Sequence, residues 1–466
     1  MNWIVVLTYS ALLRVSDKIR TQTSSTFKGA SWMDLEYIFR TGDRMRSAFL
    51  KISLLATLSL GSISGFASGL DCRAEFFPDP AAVHGLAKMP QAYEMAGNLI
   101  KRSGPFQNDL RIMTEFERFM PNLDQTKSSN LASQLQIYAD YYLREFNLRL
   151  DPNPILSRGS RVYFLKDVDG VAVFVIKIFP PYHVTLLNEL STGQILTQVK
   201  SQYFRFVGIR DVFNMKINGA THPVMLADAA RGMSFSKFLD SRSSGSELIE
   251  AMRLAAKGFF EFHHAQFRTF DAREKESLRA YDLSQTKKYI QSARLTATND
   301  ISRSQANQLR EKLLSIADQA YRNSFPFMTY KHGDAHVENV FFDGSSISFI
   351  DYMSGAWGFK RRGNDVIPAG DPLEDVGRFL ESWHLQALER GVDERTLTTT
   401  EDAFIQTYSK LWNMPASSFA DAVLSHRLRF SLVRLDDFGG LTSDHEKSLI
   451  VRDLFARFGN EPIRSN

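Results

Sequence analysis

Tyr330-Lys331-His332-Gly333-Asp334-Ala335-His336-Val337-Glu338-Asn339-Val340-Phe341-Phe342-Asp343-Gly344-Ser345-Ser346-Ile347-Ser348-Phe349-Ile350-Asp351 is the stretch on which the reading of this chain turns. Two short apolar runs, Val340-Phe341-Phe342 and Ile347-Ser348-Phe349-Ile350, flank an Asp343-Gly344 turn, and the pattern predicts a β-hairpin. Folding it returns Asn339, ahead of the first strand, to the side of Asp351, after the second. Asp334 precedes Asn339 in a tight loop, so three oxygen-bearing side chains converge on one point. A carboxylate in such a place can accept a hydroxyl proton, and hard oxygen donors suit Mg²⁺.

The ordered set His332-Gly333-Asp334, Asn339, Ile350-Asp351 and Gly370-Asp371-Pro372-Leu373-Glu374-Asp375 resembles the aminoglycoside phosphotransferase and choline kinase branch of the protein-kinase-like superfamily. That branch writes His-Gly-Asp-x4-Asn, then Ile-Asp, then Gly-Asp-Pro-x2-Asp. The resemblance covers roughly the last two-thirds of the chain. It implies an α+β, bilobal protein-kinase-like fold: a small antiparallel-sheet N-lobe over 151–230 and a mainly helical C-lobe over 231–466. It also implies ATP and Mg²⁺ as cofactors, and transfer of the γ-phosphate to a hydroxyl-bearing acceptor. Asp334 would take the hydroxyl proton while Asn339 and Asp351 hold the metal. Fold resemblance does not choose among small-molecule, lipid and protein acceptors.

Working upstream, Arg161 to Leu165 and Val171 to Phe179 flank Asp167-Val168-Asp169-Gly170 and read as a second hairpin. Lys177 is a charge within its apolar second strand, on the face shared by Val175 and Phe179. A buried ammonium without a partner is costly, so Lys177 calls for an anion. By the resemblance, Val175-Ile176-Lys177 lays the Val175 side chain over adenine and the lysine on the α- and β-phosphates. A helix expected over 184–199 carries Glu189, which the family pairs with that lysine. The competing reading, a lysine snorkelling from an edge strand, loses to this ordered context.

Three further segments bear on the expected site, two on the nucleotide and one on the acceptor. Ser157-Arg158-Gly159-Ser160 is a turn whose backbone could lie over phosphates, with Ser157, Gly159 and Ser160 as the contacts. It is poor in glycine for that role, and an ordinary strand-leading turn competes with it. Pro223 to Ala229 resembles the hinge between kinase lobes, where backbone groups of Ala227 and Ala229 would meet the adenine edge. Tyr352 to Ala369, with Lys360-Arg361-Arg362, stands where an activation segment would, and either docks an anionic acceptor or is a solvated loop.

The remaining text is helical. Apolar spacing predicts helices over 81–101, 110–120 and 129–146, a helical extension within 70–150. Ser241 to Ser246 reads as a solvated linker and 248–262 as an amphipathic helix ending in His263-His264. Neighbouring helix positions point about 100° apart, so those histidines cannot share one metal, and the resemblance implies a structural histidine near this helix end. Further helix is expected over 283–321, 373–388 and 400–458, with Asp371 and Asp375 capping and anchoring the second of these.

With 466 residues, 44% hydrophobic and 23% charged, the chain has the composition of an ordinary globular protein. A net charge of +4 without a lysine or arginine block gives no footprint for nucleic acid. The single cysteine, Cys72, excludes an intrachain disulfide and a multi-cysteine zinc site. Two basic residues in 45–51, an apolar run from Ile52 to Phe66 and small residues up to Gly69 form the pattern of an export signal. On that reading residues 1–69 are a targeting segment, Met45 is the true start, and the mature chain has no stable membrane span. If it fails, a cytoplasmic protein is expected. A P-loop is excluded because no Gly-x4-Gly-Lys-Ser/Thr occurs. A di-metal phosphoesterase lacks the Asp-x-His it needs before His332. A nucleotide-binding pseudokinase, acting as an interaction module, stands as the alternative to an active enzyme.

Overall fold

Strands of alternating character over 160–178 and 209–228 build the first layer of the computed structural model, which describes most of residues 131–459 and, before them, a few positions within 89–120. The expected targeting segment, Cys72, Gly159, the Ser157 side chain and the side chains of 353–369 lie outside the described residues. Helix α1 (Leu131–Tyr142) leads into β1 (Arg149–Leu150), β2 (Ile155–Ser157), β3 (Ser160–Lys166) and β4 (Ala172–Ile178). Helix α2 (Thr185–Leu196) and the short β5 (Phe204–Phe206) follow, then β6 (Ile209–Ile217) and β7 (Ala220–Asp228). The antiparallel sheet runs β1-β3-β4-β7-β6, with β2 also paired to β3.

Because side chains alternate along each strand, the sheet has two apolar faces, and each is covered. Leu135, Tyr138 and Ala139 of α1 pack on Phe174, Ile176, Phe213, Val224 and Leu226. On the other face Phe179, Val212, Met225 and Ala227 meet Leu186, Leu187 and Leu190 of α2, together with Met89, Ala92, Leu99 and Phe116. Asn214 ties that upstream segment down by donating to the carbonyls of Glu117 (2.6 Å) and Met120 (3.3 Å). Beneath the α1 face, Tyr138 donates to Asp211, and burial pushes the Asp211 carboxyl up to about 7.

The second part is mainly helical, which completes the α+β arrangement expected from the sequence. Strand β8 (Met233–Ser234), α3 (Phe235–Asp240) and α4 (Gly245–His264) come first. The end of the stretch expected as a solvated linker is exposed but already belongs to α4, with Gly245 and Ser246 as its first residues and Ser244 forming a reciprocal capping box with Glu247. Strand β9 (Arg268–Thr269) precedes α5 (Ala272–Ser292) and α6 (Arg303–Ala320), so the single helix expected over 283–321 is two. A second box sets the break, since Ser302 N–H donates to Gln305 Oε1 (2.9 Å) and Gln305 N–H to Ser302 Oγ (3.3 Å).

Next come β10 (Phe327–Met328), paired with β9, and the expected hairpin, β11 (Val340–Phe342) and β12 (Ile347–Phe349). Asp343 accepts the N–H groups of Ser345 and Ser346 to close its turn. Strand β5 runs parallel to β12, so the chain between α2 and β6 is stitched to the hairpin. Helix α4 crosses this junction where a Cβ on Gly258 would lie 2.6 Å from the Tyr203 carbonyl oxygen; only glycine allows that approach. Strands β13 (Phe359–Arg362) and β14 (Asp365–Pro368) pair with each other. Four helices close the chain: α7 (Leu373–Glu389), α8 (Glu394–Leu411), α9 (Ala416–Leu435) and α10 (Asp444–Phe458).

Helix α7 is buried nearly all round, from Leu373 to Ala387, and so are its acidic residues Glu374, Asp375 and Glu381. Charges in such a place must be paired. Glu381 accepts from Arg427 (2.8 Å), Arg457 (2.6 Å) and Ser431 (2.5 Å). His384 sits between Glu401 (2.8 Å) and Asp453 (2.9 Å). Burial opposes its protonation, but those two carboxylates win and raise it to about 9. This network binds α7, α8, α9 and α10 to one another.

Candidate active site

Lys177 is 7% exposed, and its ammonium donates to Glu189 Oε1 on α2 at 2.8 Å and to Asp351 Oδ1 just past β12. Burial alone would lower its pKa, but the two carboxylates more than reverse that and hold it charged. Burial also outweighs Lys177 at Glu189, and Asp351 adds to it, so the Glu189 carboxyl is pushed above its ordinary value. Asp351 goes the other way: Lys177 overcomes burial and keeps its carboxyl below the usual range, although the charge on Asp334 opposes this. Asp351 adopts a left-handed backbone, φ 59°, which aspartate tolerates better than most residues and which turns the chain sharply after β12.

The loop before the hairpin is held from below. Asp375 on α7 is fully buried, and its carboxylate accepts the N–H groups of His332 (2.6 Å) and Gly333 (2.8 Å) and Nε2 of His263 (3.2 Å). Gly333 supplies the positive φ, 87°, that this turn requires. The His332 ring fixes the next link, because its Nε2 meets the Ile350 carbonyl at 2.8 Å and its Nδ1 accepts the Asp334 N–H at 3.1 Å. Those partners demand the neutral Nε2–H tautomer, and burial lowers the His332 pKa accordingly. One imidazole thereby spans Asp334 and the residue preceding Asp351.

Asn339 completes the arrangement. Its side-chain nitrogen donates to the Asp334 backbone carbonyl (3.0 Å), and its own backbone carbonyl accepts the Ile350 N–H (3.1 Å). Asn339 and Asp351 therefore sit at the open end of one hairpin, as the sequence implies. The residues fit a magnesium ion on three counts. The Lys177 cluster has two carboxylates to one cation, the Asp351 side chain is 38% exposed, and the Asn339 amide is turned with its nitrogen on the loop.

Asp334 itself is met by Arg378 of α7, whose Nη1 donates to Oδ1 at 2.9 Å, while Oδ2 lies 3.8 Å from His336 Nε2. Sequence reasoning missed Arg378, although its position one helical turn after Glu374 was a usable signal. It also cast Asp375 as an anchor of α7, whereas that carboxylate anchors the loop. Asp371 does cap, accepting the Leu373 N–H at 2.8 Å. His263 is structural as expected, buried between Asp375 and Tyr408, and His264 stacks on Phe260.

The expected adenine site is less uniform. Val175 is half-buried on the Lys177 face and pairs with Ala227 across β4 and β7. The Ala227 side chain is buried in the core shared with α2. The Ala229 N–H already donates to the Val173 carbonyl (2.9 Å), so an adenine edge there would have to use the Ala229 carbonyl instead. Just before it, Asp228 takes both arms of the Arg210 fork at 2.8 Å. Ser157 of β2 and Ser160 of β3 are register partners, and Ser160 is buried.

No family model and no curated protein sequence matches the chain. Among solved structures, a glucosamine kinase is similar at 9% identity, covering 66% of this chain and 93% of its own, with a TM-score of 0.40. A GDP and kanamycin complex of an aminoglycoside 2″-phosphotransferase is similar at 10% identity, covering 69% and 97%, TM-score 0.42. An aminoglycoside phosphotransferase from Streptomyces rimosus, bound to ADP and streptomycin, is similar at 15% identity, covering 63% and 98%, TM-score 0.34. At such identities and scores these likenesses concern the chain trace alone, and the site stands on its own geometry.

Proposed function

We propose that this chain is an ATP-dependent phosphotransferase acting on a hydroxyl-bearing acceptor. The observation that carries the reading is that one strand lysine reaches both a helix glutamate and Asp351, with Asn339 one hydrogen bond from the adjoining Ile350 and Asp334 one hydrogen bond beyond Asn339. Lys177, backed by Glu189, would exchange its contact with Asp351 for the α- and β-phosphates when nucleotide enters. Asn339 and Asp351 would hold Mg²⁺, which when bound offsets charge on the phosphates. Asp334 orients the acceptor hydroxyl and takes its proton as the oxygen bonds to the γ-phosphorus and the bond to ADP breaks. Positioning and electrostatics supply the rate in such a site.

The test is a transfer screen with γ-labelled ATP across small molecules, lipids and protein lysate, run beside an ADP titration. Label should move in the wild type, and Asp334→Ala should lose transfer by on the order of 10³-fold or more while still binding ADP. Wild-type turnover in that variant would remove Asp334 from the mechanism. The stretch Ser157-Arg158-Gly159-Ser160, with a single glycine, favours the pseudokinase reading; magnesium–ATP binding with no consumption across the panel would establish it. On the targeting pattern alone, we also propose that the mature protein is exported and acts outside the producing cytoplasm, in a bacterial periplasm, the medium or another cell. Mature chain confined to the producing cytoplasm would count against this. Among the described residues no helix is long and apolar enough to cross a membrane.

A further inference from the structure

One turn of α7 grips four successive loop residues. Glu374 pairs with the Lys331 ammonium, Asp375 takes the N–H groups of His332 and Gly333, and Arg378 donates to Asp334 Oδ1 at 2.9 Å. Arg378 Nη2 also reaches back to Glu374 Oε1 at 3.5 Å, so Lys331, Glu374, Arg378 and Asp334 form a chain of alternating charge. Lys331 and Arg378 both draw the Glu374 carboxyl well below its ordinary value against the effect of burial, so this link stays ionised. Of the three gripping side chains, Glu374 and Asp375 are 10% and 0% exposed, while Arg378 is 26% exposed. It is the member that borders solvent, and it touches the very carboxylate to which proton transfer was assigned.

We propose that Arg378 is a positioning residue of the transfer step, holding one oxygen of Asp334 so that the other is presented to the acceptor hydroxyl. The inference rests on the phosphotransferase reading. An aspartate carboxylate turns about its last torsion with little resistance, and a proton acceptor misplaced by about 1 Å forfeits on the order of 100-fold in rate. A guanidinium fixed by Glu374 removes that freedom. Oδ1 is then committed to the fork, and Oδ2, on the His336 side, becomes the oxygen that receives the proton. The balance of the step is unchanged: the acceptor oxygen bonds to the γ-phosphorus, ADP leaves with the electron pair of the broken P–O bond, and the hydroxyl proton goes to Oδ2. A lysine could not replace this fork, because its point charge lacks the two nitrogens, held in one plane, with which Arg378 meets Asp334 and Glu374.

Slow ATP hydrolysis, with water in the acceptor's place, supplies the assay, and ADP titration in magnesium supplies a readout that proton transfer does not enter. Arg378→Gln should slow hydrolysis on the order of 100-fold with ADP affinity and thermal midpoint near wild type, and added guanidinium should restore part of the rate. Arg378→Lys and Glu374→Gln should fall between. Wild-type hydrolysis in Arg378→Gln, even with weakened transfer to some anionic acceptor, would make Arg378 an acceptor-binding residue and overturn the proposal. A parallel loss of ADP affinity and stability, without guanidinium rescue, would overturn it as merely structural. Wild-type protein that binds ADP but hydrolyses ATP no faster than Asp334→Ala would instead remove the phosphotransferase reading, and this one with it.

Discussion

The two halves of the site are held in opposite ways. Around Lys177 the contacts run side chain to side chain, joining a strand, a helix and the end of a hairpin, and one partner, Asp351, is more than a third exposed. Around Asp334 the side-chain pairs of Glu374 with Lys331 and Arg378 with Asp334 are joined by a grip on the backbone itself, where the buried carboxylate of Asp375 holds the N–H groups of His332 and Gly333. A side-chain pair can trade partners when a ligand arrives, whereas a backbone anchored from the core cannot. On the proposed function the difference divides the work: the sheet half would accommodate nucleotide, and the helical half would be set before anything binds. Preorganisation of that kind is where electrostatic catalysis draws its advantage.

The comparison breaks most readily at Asp375. Asp375→Ala strands two buried N–H groups and His263, and should cost on the order of 4 kcal/mol in a urea unfolding experiment. A change below about 1 kcal/mol would mean the helical half is not anchored there.

Two pH windows sharpen the same contrast, each worth on the order of 3 kcal/mol. Asp211, in the sheet half, is raised from 3.8 to about 7 by burial, so its contribution is whole below pH 3.8 and is lost as pH rises through about 7. His384, in the helical half, is raised from 6.5 to about 9, so its contribution is whole below pH 6.5 and is lost as pH rises through about 9. Thermal midpoints across pH should therefore fall in two steps, with Asp211→Asn erasing the first and His384→Gln the second. A single step untouched by either change would refute the division.

Smaller effects follow. Lys177→Met keeps the packed stem but removes the ammonium, and should weaken ADP in magnesium about tenfold, or ~1.4 kcal/mol, while unfolding changes less than in Asp375→Ala. Equal affinity by calorimetry would take Lys177 out of the nucleotide site. Ser244→Ala, which opens the α4 capping box remote from both halves, should cost about 1 kcal/mol in stability and leave ADP affinity alone. A change in affinity would show that α4 reports to the site.

Much of this was legible in the sequence because its signals are local. The Asp343-Gly344 turn between apolar runs forces Asn339 and Asp351 together, and a lone charge in an apolar strand demands the partner that Glu189 provides. Strands β3, β4 and β7 and the α7 boundaries followed from equally local patterns, while β6 was not read. What stayed hidden depends on contacts distant along the chain. Nothing near Asp334 announces Arg378, and Asp375 reads as a helix-start acid until the loop is seen lying on it. The Tyr138–Asp211 contact likewise joins a helix to a strand that no local pattern connects. The split between α5 and α6 was readable: Ser302-Arg303-Ser304-Gln305 is a capping box that the apolar count passed over.

The most direct test of the account is calorimetric titration of ADP with and without Mg²⁺, in the wild type and in Asp351→Asn. Binding in the wild type should strengthen at least about tenfold with the metal, and that gain should vanish in the variant. Affinity that ignores Mg²⁺, or a metal gain that survives Asp351→Asn, would contradict the site described here.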